Sequence, residues 1–316
     1  MLTALREILA RNISPSRLND YLACSLRFYF NKVARFHENE TVEENLEASS
    51  FGTMVHEALE MLFKPFLADK RPITAADIPA LIAAAPAEVE HALRREEGHR
   101  HARADHGLNH VYGQVASRLV VRLLESLETQ DGMLPLQLFG LEAELAATVF
   151  VAEPGQPEPL AVRLTGFADR VDELPDGRLR VVDYKSGLVT RAELQLSGGS
   201  RKNYSPAEAT ERLLTEASPA AAKVRQLWLY RLMLAHTRPE RETADTAILS
   251  LRNLPEGLLA ADLTFLTEAS GTDFRTTSEA LVGQIVRRIL DPAEPIRKTD
   301  DFAQCEYCDY RSICAR

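Results

Sequence analysis

A stretch near the middle of the chain constrains its fold more than any other: LTGFADRVDELPDGRLRVVDYKSG, residues 164–187. Both halves of this stretch are rich in valine and leucine, and such residues at strand-like spacing are typical of β-strands. The halves are separated by Asp176-Gly177, a dipeptide that favours the tight turn of a β-hairpin because glycine tolerates positive φ. The stretch therefore predicts two adjacent antiparallel strands.

Folding at this turn brings two carboxylates face to face. Asp169 lies seven residues before Asp176, and Asp183 lies seven residues after it. The two acids therefore fall opposite each other, with Cβ atoms about 4.5–5.5 Å apart. Since side chains alternate along a strand, Lys185 should share the face of Asp183, and Asp172 should point away from the face of Asp169.

This arrangement is typical of a metal site. Facing carboxylates repel unless a cation lies between them, and their hard oxygens suit Mg²⁺ or Mn²⁺. A neighbouring lysine can hold an attacking water or stabilise charge on a phosphate, so the set has the components of metal-assisted phosphodiester hydrolysis. The alternative is a solvated hairpin edge. The apolar Val181-Val182 before Asp183 indicates a buried strand and counts against it.

The remaining sequence predicts a mixed α/β fold with a central sheet flanked by helices, preceded by a helical N-terminal region. Ser14 and Pro15 mark a helix start, and this helix is predicted to continue through SRLNDYLACSLRFYFNKV. Further helices are predicted from about Gly52 and over 74–130. Later segments alternate as the strand LFGLEAELAATVFVA, the hairpin, a loop at 196–205, the helix AAKVRQLWLYRLMLAH, the strand TADTAILSL and the helix DFRTTSEALVGQIVRRIL.

Composition excludes several classes of protein. No run of about 18 apolar residues is present, so no membrane span is expected, and the first residues lack the layout of a secretory signal. Four cysteines in 316 residues, three of them clustered, argue against a secreted disulfide framework, so we expect a cytoplasmic protein. The net charge of −9 argues against a general nucleic-acid coat protein but permits an enzyme with a local basic groove.

The cysteines form a second candidate site. Cys305, Cys308 and Cys314 lie in the final CEYCDYRSICAR, and Cys24 lies in YLACSLRFYF. Sites of this kind usually need four ligands, and a fold can bring distant chain ends together. The spacing leaves open a zinc ion or an iron–sulfur cluster held by all four thiolates. It also leaves open a C-terminal zinc knuckle lacking one ligand, with Cys24 a buried free thiol.

Both sets of residues resemble one known family. GFADRVD followed by VVDYKSG resembles the PD-(D/E)XK nuclease superfamily, and more narrowly its RecB-type branch. That branch includes the nuclease domains of AddAB-type helicase–nucleases and the CRISPR adaptation nucleases with an iron–sulfur cluster. FGTMVHEALE is similar to the histidine helix of the branch, and QLWLY to its Q-x-x-x-Y helix. The resemblance extends over most of the chain and implies a restriction-endonuclease-like core.

The resemblance also implies roles for individual residues. The metal ligands would be His56, Asp169, Asp183 and the backbone carbonyl of Tyr184. Lys185 would be the catalytic lysine, with Gln226 and Tyr230 supporting it, and a 4Fe–4S cluster would be held by Cys24, Cys305, Cys308 and Cys314. From the residues alone, a lone histidine in an apolar helix is more often structural, and Gln226 and Tyr230 share a helix face that could simply border the core. Glu142 and Glu144 are weaker candidates for the outer part of the site.

These roles imply a divalent-metal-dependent deoxyribonuclease, either an exonuclease or an endonuclease. It would act on single-stranded DNA or DNA ends in recombinational repair, alone or as the nuclease part of an AddB-type helicase–nuclease with a helicase partner. A single domain over 1–316 is expected, with a helical region and insertion over about 1–135, a PD-(D/E)XK core over about 136–290 and a cysteine-rich clasp over 300–316. One alternative is a non-catalytic DNA-binding scaffold with this fold. The other is an enzyme that holds a structural zinc ion at its cysteines and acts on another phosphodiester substrate, such as RNA.

Contacts to nucleic acid are predicted in the loop that follows the hairpin. Arg201 and Lys202 could bind phosphates, so that binding would depend on salt, and Tyr204 could stack on a base. The Arg- and His-rich segment 91–107 could bind phosphates too, but a solvated helix face is the favoured explanation of its composition.

Overall fold

The computed structural model of the protein describes residues 1–36, 48–100, 107–130, 132–199, 202–306 and 308–315. Within these ranges the α-helices are α1 (Leu2–Arg11), α2 (Pro15–Ala23), α3 (Ser25–Phe28), α4 (Ala48–Ala68), α5 (Ile78–Arg100), α6 (Gly107–Thr129), α7 (Pro206–Thr215), α8 (Pro219–Thr237), α9 (Thr264–Ser270) and α10 (Phe274–Leu290). The β-strands are β1 (Gln137–Val151), β2 (Leu160–Glu173), β3 (Leu179–Lys185), β4 (Gly198–Gly199), β5 (Lys202–Asn203), β6 (Thr243–Ser250) and β7 (Leu258–Ala260).

A mixed sheet with strand order β1-β2-β3-β6-β7 forms the centre of the fold. Strands β1, β2 and β3 are antiparallel, β3 and β6 are parallel, and β7 is antiparallel to β6. A parallel pair needs a crossover connection, and α8 lies in the segment between β3 and β6. The predicted mixed α/β class with flanking helices is confirmed. The segment 196–205, predicted as a loop, contains the short paired strands β4 and β5.

Helices cover both faces of this sheet. One apolar core packs α1, α2, α8 and α10 against the sheet, with Trp228 and Val181 among its fully buried members. The other packs α4, α5 and α6 against it, with Phe63 and Val182 among its members. Because consecutive residues of a strand point to opposite faces, Val181 and Val182 contribute to different cores. In the described ranges no helix is long and apolar enough to cross a membrane.

The predicted helix after Ser14 begins as expected but does not continue unbroken. The Ser14 side chain accepts a hydrogen bond from the Arg17 backbone N–H, and Pro15 occupies the first turn. At Cys24 the backbone is extended, with φ −160° and ψ 100°, and the Cys24 sulfur accepts the N–H of Arg27 to start a new short helix. The prediction of one continuous helix was therefore wrong, because this cysteine caps a helix rather than extending one.

Candidate active site

Strands β2 and β3 carry the two acids of the hairpin, Asp169 and Asp183, at neighbouring positions. Strands β2 and β3 pair Arg170 with Val182 and Val171 with Val181, and the same register extended by one residue sets Asp169 opposite Asp183. The Oδ2 atom of Asp169 accepts a hydrogen bond of 2.6 Å from the Tyr184 backbone N–H. This bond fixes the Asp169 carboxylate near the end of β3.

Helix α4 and strand β1 bring two more side chains to Asp169. The Nδ1 atom of His56 lies 3.3 Å from Oδ1 of Asp169. Strand β1 pairs Leu141 with Arg170 and Ala143 with Ala168, so Glu142 falls opposite Asp169. One ligand atom each from His56, Glu142 and Asp169 lies within 4.8 Å of the other two. An imidazole nitrogen and two carboxylates at this separation form a suitable donor set for Mn²⁺ or Mg²⁺.

Glu142 has a more direct place in the site than the sequence indicates. Its φ is +41°, a backbone conformation that non-glycine residues rarely adopt and that recurs at functional sites. The pKa of Glu142 is raised to about 7, mainly by burial and next by the nearby Asp169 carboxylate. A cation between the two carboxylates would remove this repulsion. Glu144, the other acid suggested on β1, is exposed and lies outside the group.

The imidazole of His56 responds to the same carboxylates. Burial lowers the pKa of His56, but the Asp169 carboxylate raises it, and the net shift is upward. A metal ion would therefore compete with a proton for this ring. The edge of the His56 ring faces Tyr184, with ring centroids 5.8 Å apart.

Asp183 belongs to a second, connected group of polar side chains. Lys185 Nζ lies 2.7 Å from Oδ2 of Asp183 and donates a hydrogen bond of 3.0 Å to Oε1 of Gln226. Gln226 Nε2 donates to Oδ1 of Asp183 at 2.9 Å and contacts the Tyr230 hydroxyl at 3.1 Å. Gln226 and Tyr230 are one turn apart on α8, which explains why they reach the same place.

The buried carboxylate of Asp183 retains capacity for another ligand. Burial raises the pKa of Asp183, and the Lys185 ammonium offsets part of the effect. Although the ammonium is close to Oδ2, the contact is not aligned as a hydrogen bond, and Oδ2 has no other partner among the described residues. A buried carboxylate oxygen without a hydrogen bond is costly, and a hard cation would satisfy it.

The side chains of His56, Glu142 and Asp169 line a cleft of about 750 Å³. Its floor includes His56, Asp169 and Lys185, and Phe167 of β2 lies in its wall. Other residues of the wall come from α4 and the end of α5, and they include Glu57, Glu60, Lys64 and Arg95. A cleft of this size can admit an extended polymer strand to the acids from outside.

Behind the site, the opposite face of the hairpin carries a buried charge network. Arg170 Nη1 donates to the Tyr184 hydroxyl at 2.9 Å, and Arg170 and Arg180 each have a nitrogen 3.2 Å from Oδ2 of Asp172. Nε of Arg170 also lies 2.7 Å from Oδ1 of Asp172, in ionic contact without hydrogen-bond alignment. Arg170 and Asp172 are almost completely buried. Asp172 thus lies away from Asp169, as alternation along the strand predicts.

All four cysteines line one small cavity between the ends of the chain. Cys24 lies between α2 and α3, and Cys305, Cys308 and Cys314 follow α10. The tail is held there by Arg297, whose backbone N–H and carbonyl both hydrogen-bond to the Ser25 hydroxyl. The four thiols are free, and burial, followed by the other three cysteines, raises the pKa of Cys314.

The predicted nucleic-acid contacts are described only in part. Arg201 and the side chain of Lys202 lie outside the described residues. The ring of Tyr204 is covered by the Arg212 guanidinium, 4.2 Å from its centroid. Within 91–107, the positions 101–106 are also outside the described ranges, and no side chain is described from 96 to 107. The stacking role of Tyr204 stays a prediction.

Comparisons with known proteins identify a family for the chain. The family model of the PD-(D/E)XK nuclease superfamily matches residues 12–315. No curated protein gives a significant match. Among solved structures, the crystal structure of SSO0001 aligns with 95% of this chain and 92% of that chain, at 12% sequence identity and a TM-score of 0.28. Similarity at that level carries no argument about fold or function.

Proposed function

The chain belongs to the PD-(D/E)XK nuclease superfamily, and from this premise we infer that it is a divalent-metal-dependent deoxyribonuclease acting on single-stranded DNA or DNA ends. The observation that carries the proposal is the convergence of His56, Glu142 and Asp169 at one end of the hairpin that also carries Asp183 and Lys185. AddB-type membership, a helicase partner, recombinational repair and a single nuclease domain over 1–316 are further predictions from the sequence resemblance.

Each side chain of the site has a distinct role in the proposed hydrolysis. His56, Glu142, Asp169, Asp183 and the Tyr184 carbonyl would hold Mg²⁺ or Mn²⁺, which supplies charge neutralisation at the phosphate and a more acidic bound water. Lys185 holds and orients the attacking water and stabilises negative charge on the phosphate oxygens. Gln226 accepts a hydrogen bond from Lys185 and donates one to Asp183, which keeps both groups in position. Tyr230 orients Gln226 from the next turn of α8.

The proposal is tested by incubating the purified wild-type protein with linear and circular single-stranded DNA, with Mg²⁺, Mn²⁺ or a chelator. We expect cleavage that needs a divalent ion. Circular DNA separates endonuclease from exonuclease action, and a parallel RNA digest tests the substrate. If neither ion supports DNA cleavage, the result favours a non-catalytic DNA-binding scaffold. If RNA is cleaved in preference to DNA, the result favours the alternative enzyme that acts on RNA.

Replacing Glu142 with glutamine is expected to weaken Mn²⁺ binding by at least about 10- to 100-fold, the loss that follows when even a hydrogen-bond partner of a metal ligand is altered. Calorimetric titration of Mn²⁺ would measure the change. Glu144→Gln is the matched control, because Glu144 lies two residues further along β1, is exposed and is outside the ligand group. If Glu142→Gln and Glu144→Gln lose the same Mn²⁺ affinity, Glu142 is not a metal ligand.

For the cysteine site we propose a 4Fe–4S cluster that joins the C-terminal tail to the α2–α3 junction. In the described part of the chain, no three cysteine sulfurs lie within 4.8 Å of one another. A single zinc ion with Zn–S bonds of about 2.3 Å would hold its sulfurs about 3.8 Å apart. A cubane cluster spaces its thiolates more widely because each binds a different iron. The sequence resemblance implies the cluster rather than zinc, and iron and zinc analysis of the purified protein distinguishes the two.

Replacing Cys314 with alanine is expected to remove the brown absorption of the purified protein and lower its stability, because one iron loses its thiolate. Iron analysis and the visible spectrum measure the first effect and thermal unfolding the second. Ser312→Ala, an exposed change in the same tail, should keep both the colour and the stability. A colourless wild-type protein that contains one zinc and no iron would overturn the cluster assignment.

A further inference from the structure

Phe167 is an exposed aromatic side chain beside the metal-ligating groups. It is 59% exposed although it lies within the long strand β2, and its ring lines the same cleft as His56, Glu142 and Asp169. It is two residues before Asp169, which places the two Cα atoms about 6.7 Å apart at ordinary strand rise. This distance is comparable to that between a phosphate of a nucleic acid and a neighbouring base.

The backbone on either side of Phe167 is firmly packed. Gly166 lies so close to Tyr230 that a Cβ atom would be 3.0 Å from its ring and 3.2 Å from the methyl group of Met233. Ala168 on the other side is fully buried. The strand therefore holds the Phe167 ring in a fixed place at the cleft, and a rigid aromatic ring loses little conformational freedom when a ligand stacks on it.

The charged side chains of the cleft wall leave part of substrate binding to an uncharged aromatic ring. Arg95 forms an ion pair with Glu57, and Lys64 lies 3.8 Å from Glu60. Among the described side chains of the α4–α5 wall, the two cations are thus paired with glutamates, which weakens their attraction for a phosphate backbone. Where phosphate contacts are weak, contacts with the bases can supply the binding free energy. Aromatic stacking suits this role because every base has a π-face.

We propose that Phe167 stacks on an unpaired base next to the phosphodiester that is cleaved, and that this stacking makes the cleft prefer single-stranded over duplex DNA. In a duplex both faces of an internal base are covered by its neighbours, so Phe167 could stack only after the helix is opened. The inference rests on the proposed nuclease function and adds the group that recognises the substrate.

Phe167→Ala is expected to raise KM for single-stranded DNA by about 5- to 150-fold, the range that corresponds to loss of one base–aromatic stack. It should change kcat much less. Because stacking involves no counterion release, the slope of log KM against log salt concentration should stay as in the wild type. Phe167→Trp should restore a low KM. Phe150→Ala is the matched control, since Phe150 is 69% exposed on β1 and is not part of the cleft.

A single abasic site in an end-labelled single strand tests the stacking directly. In the product ladder of the wild type, we expect reduced cleavage at one fixed offset from the abasic site, where the ring finds no base. Phe167→Ala should give a ladder without this gap, and Phe150→Ala should keep it. A gap that persists in Phe167→Ala, or an unchanged KM in that variant, overturns the stacking role while the nuclease function stands. Absence of all cleavage by the wild type overturns both.

Discussion

Replacement of Lys185 with alanine is expected to lower the rate of DNA cleavage by about 100- to 10,000-fold, the usual contribution of a side chain that handles a proton or orients water. The ammonium lies 2.7 Å from the Asp183 carboxylate and 3.0 Å from the Gln226 amide oxygen, so alanine removes the cation that contacts both groups. Single-turnover cleavage at saturating Mn²⁺ measures the effect, and circular dichroism should show an unchanged fold.

The matched control is Lys223→Ala. Lys223 is also on a part-buried surface and forms an ion pair of 2.9 Å, with Glu193, but it is not among the residues that line the cleft. This variant should cleave DNA at the wild-type rate. Comparable rates for Lys185→Ala and Lys223→Ala would contradict the role given to Lys185.

Asp172→Ala is expected to destabilise the protein by about 3–5 kcal/mol, because it leaves Arg170 buried without its carboxylate partner. Arg170 has no exposed side-chain surface, and Asp172 has 1%. The loss should propagate to the active site, since Arg170 also donates a hydrogen bond to Tyr184. Equilibrium unfolding in urea measures the change in the free energy of unfolding.

Asp176→Ala provides the control on the same hairpin. Asp176 contacts Arg178 at 2.8 Å, but both side chains are more than two-fifths exposed, and exposed ion pairs contribute little to stability. The two variants should therefore differ by several kcal/mol. If Asp172→Ala unfolds at the same urea concentration as Asp176→Ala, the buried network does not support the hairpin.

The part of the site that the sequence predicts best is the part nearest a tight turn. Asp176-Gly177 fixes the register of β2 and β3, so the opposition of Asp169 and Asp183 follows by counting. Strands β1 and β2 are joined by the longer segment 152–159, and no tight turn fixes their register. Glu142 could therefore be suggested as an outer residue, but its place opposite Asp169 depends on pairing that the sequence does not determine.

Other features depend on tertiary packing rather than on local pattern. The break at Cys24 could not be predicted because the flanking residues favour a continuous helix, and only the extended backbone and the sulfur cap reveal it. Strand β7 has three residues, too few for an alternating pattern to distinguish it from a loop. Phe167 is a regular strand residue by sequence, and only the folded structure shows that it is exposed and lines the cleft.

The most direct test of the account is to measure Mn²⁺ binding and DNA cleavage together for the wild type and Asp169→Asn. Asparagine can still accept the hydrogen bond from the Tyr184 N–H, so the hairpin should stay intact, while one charge of the ligand group is lost. Manganese electron paramagnetic resonance should show bound Mn²⁺ in the wild type at the concentrations that support cleavage, and both binding and cleavage should be lost in the variant. Undiminished cleavage by Asp169→Asn, or cleavage by the wild type without bound metal, would contradict the central claim.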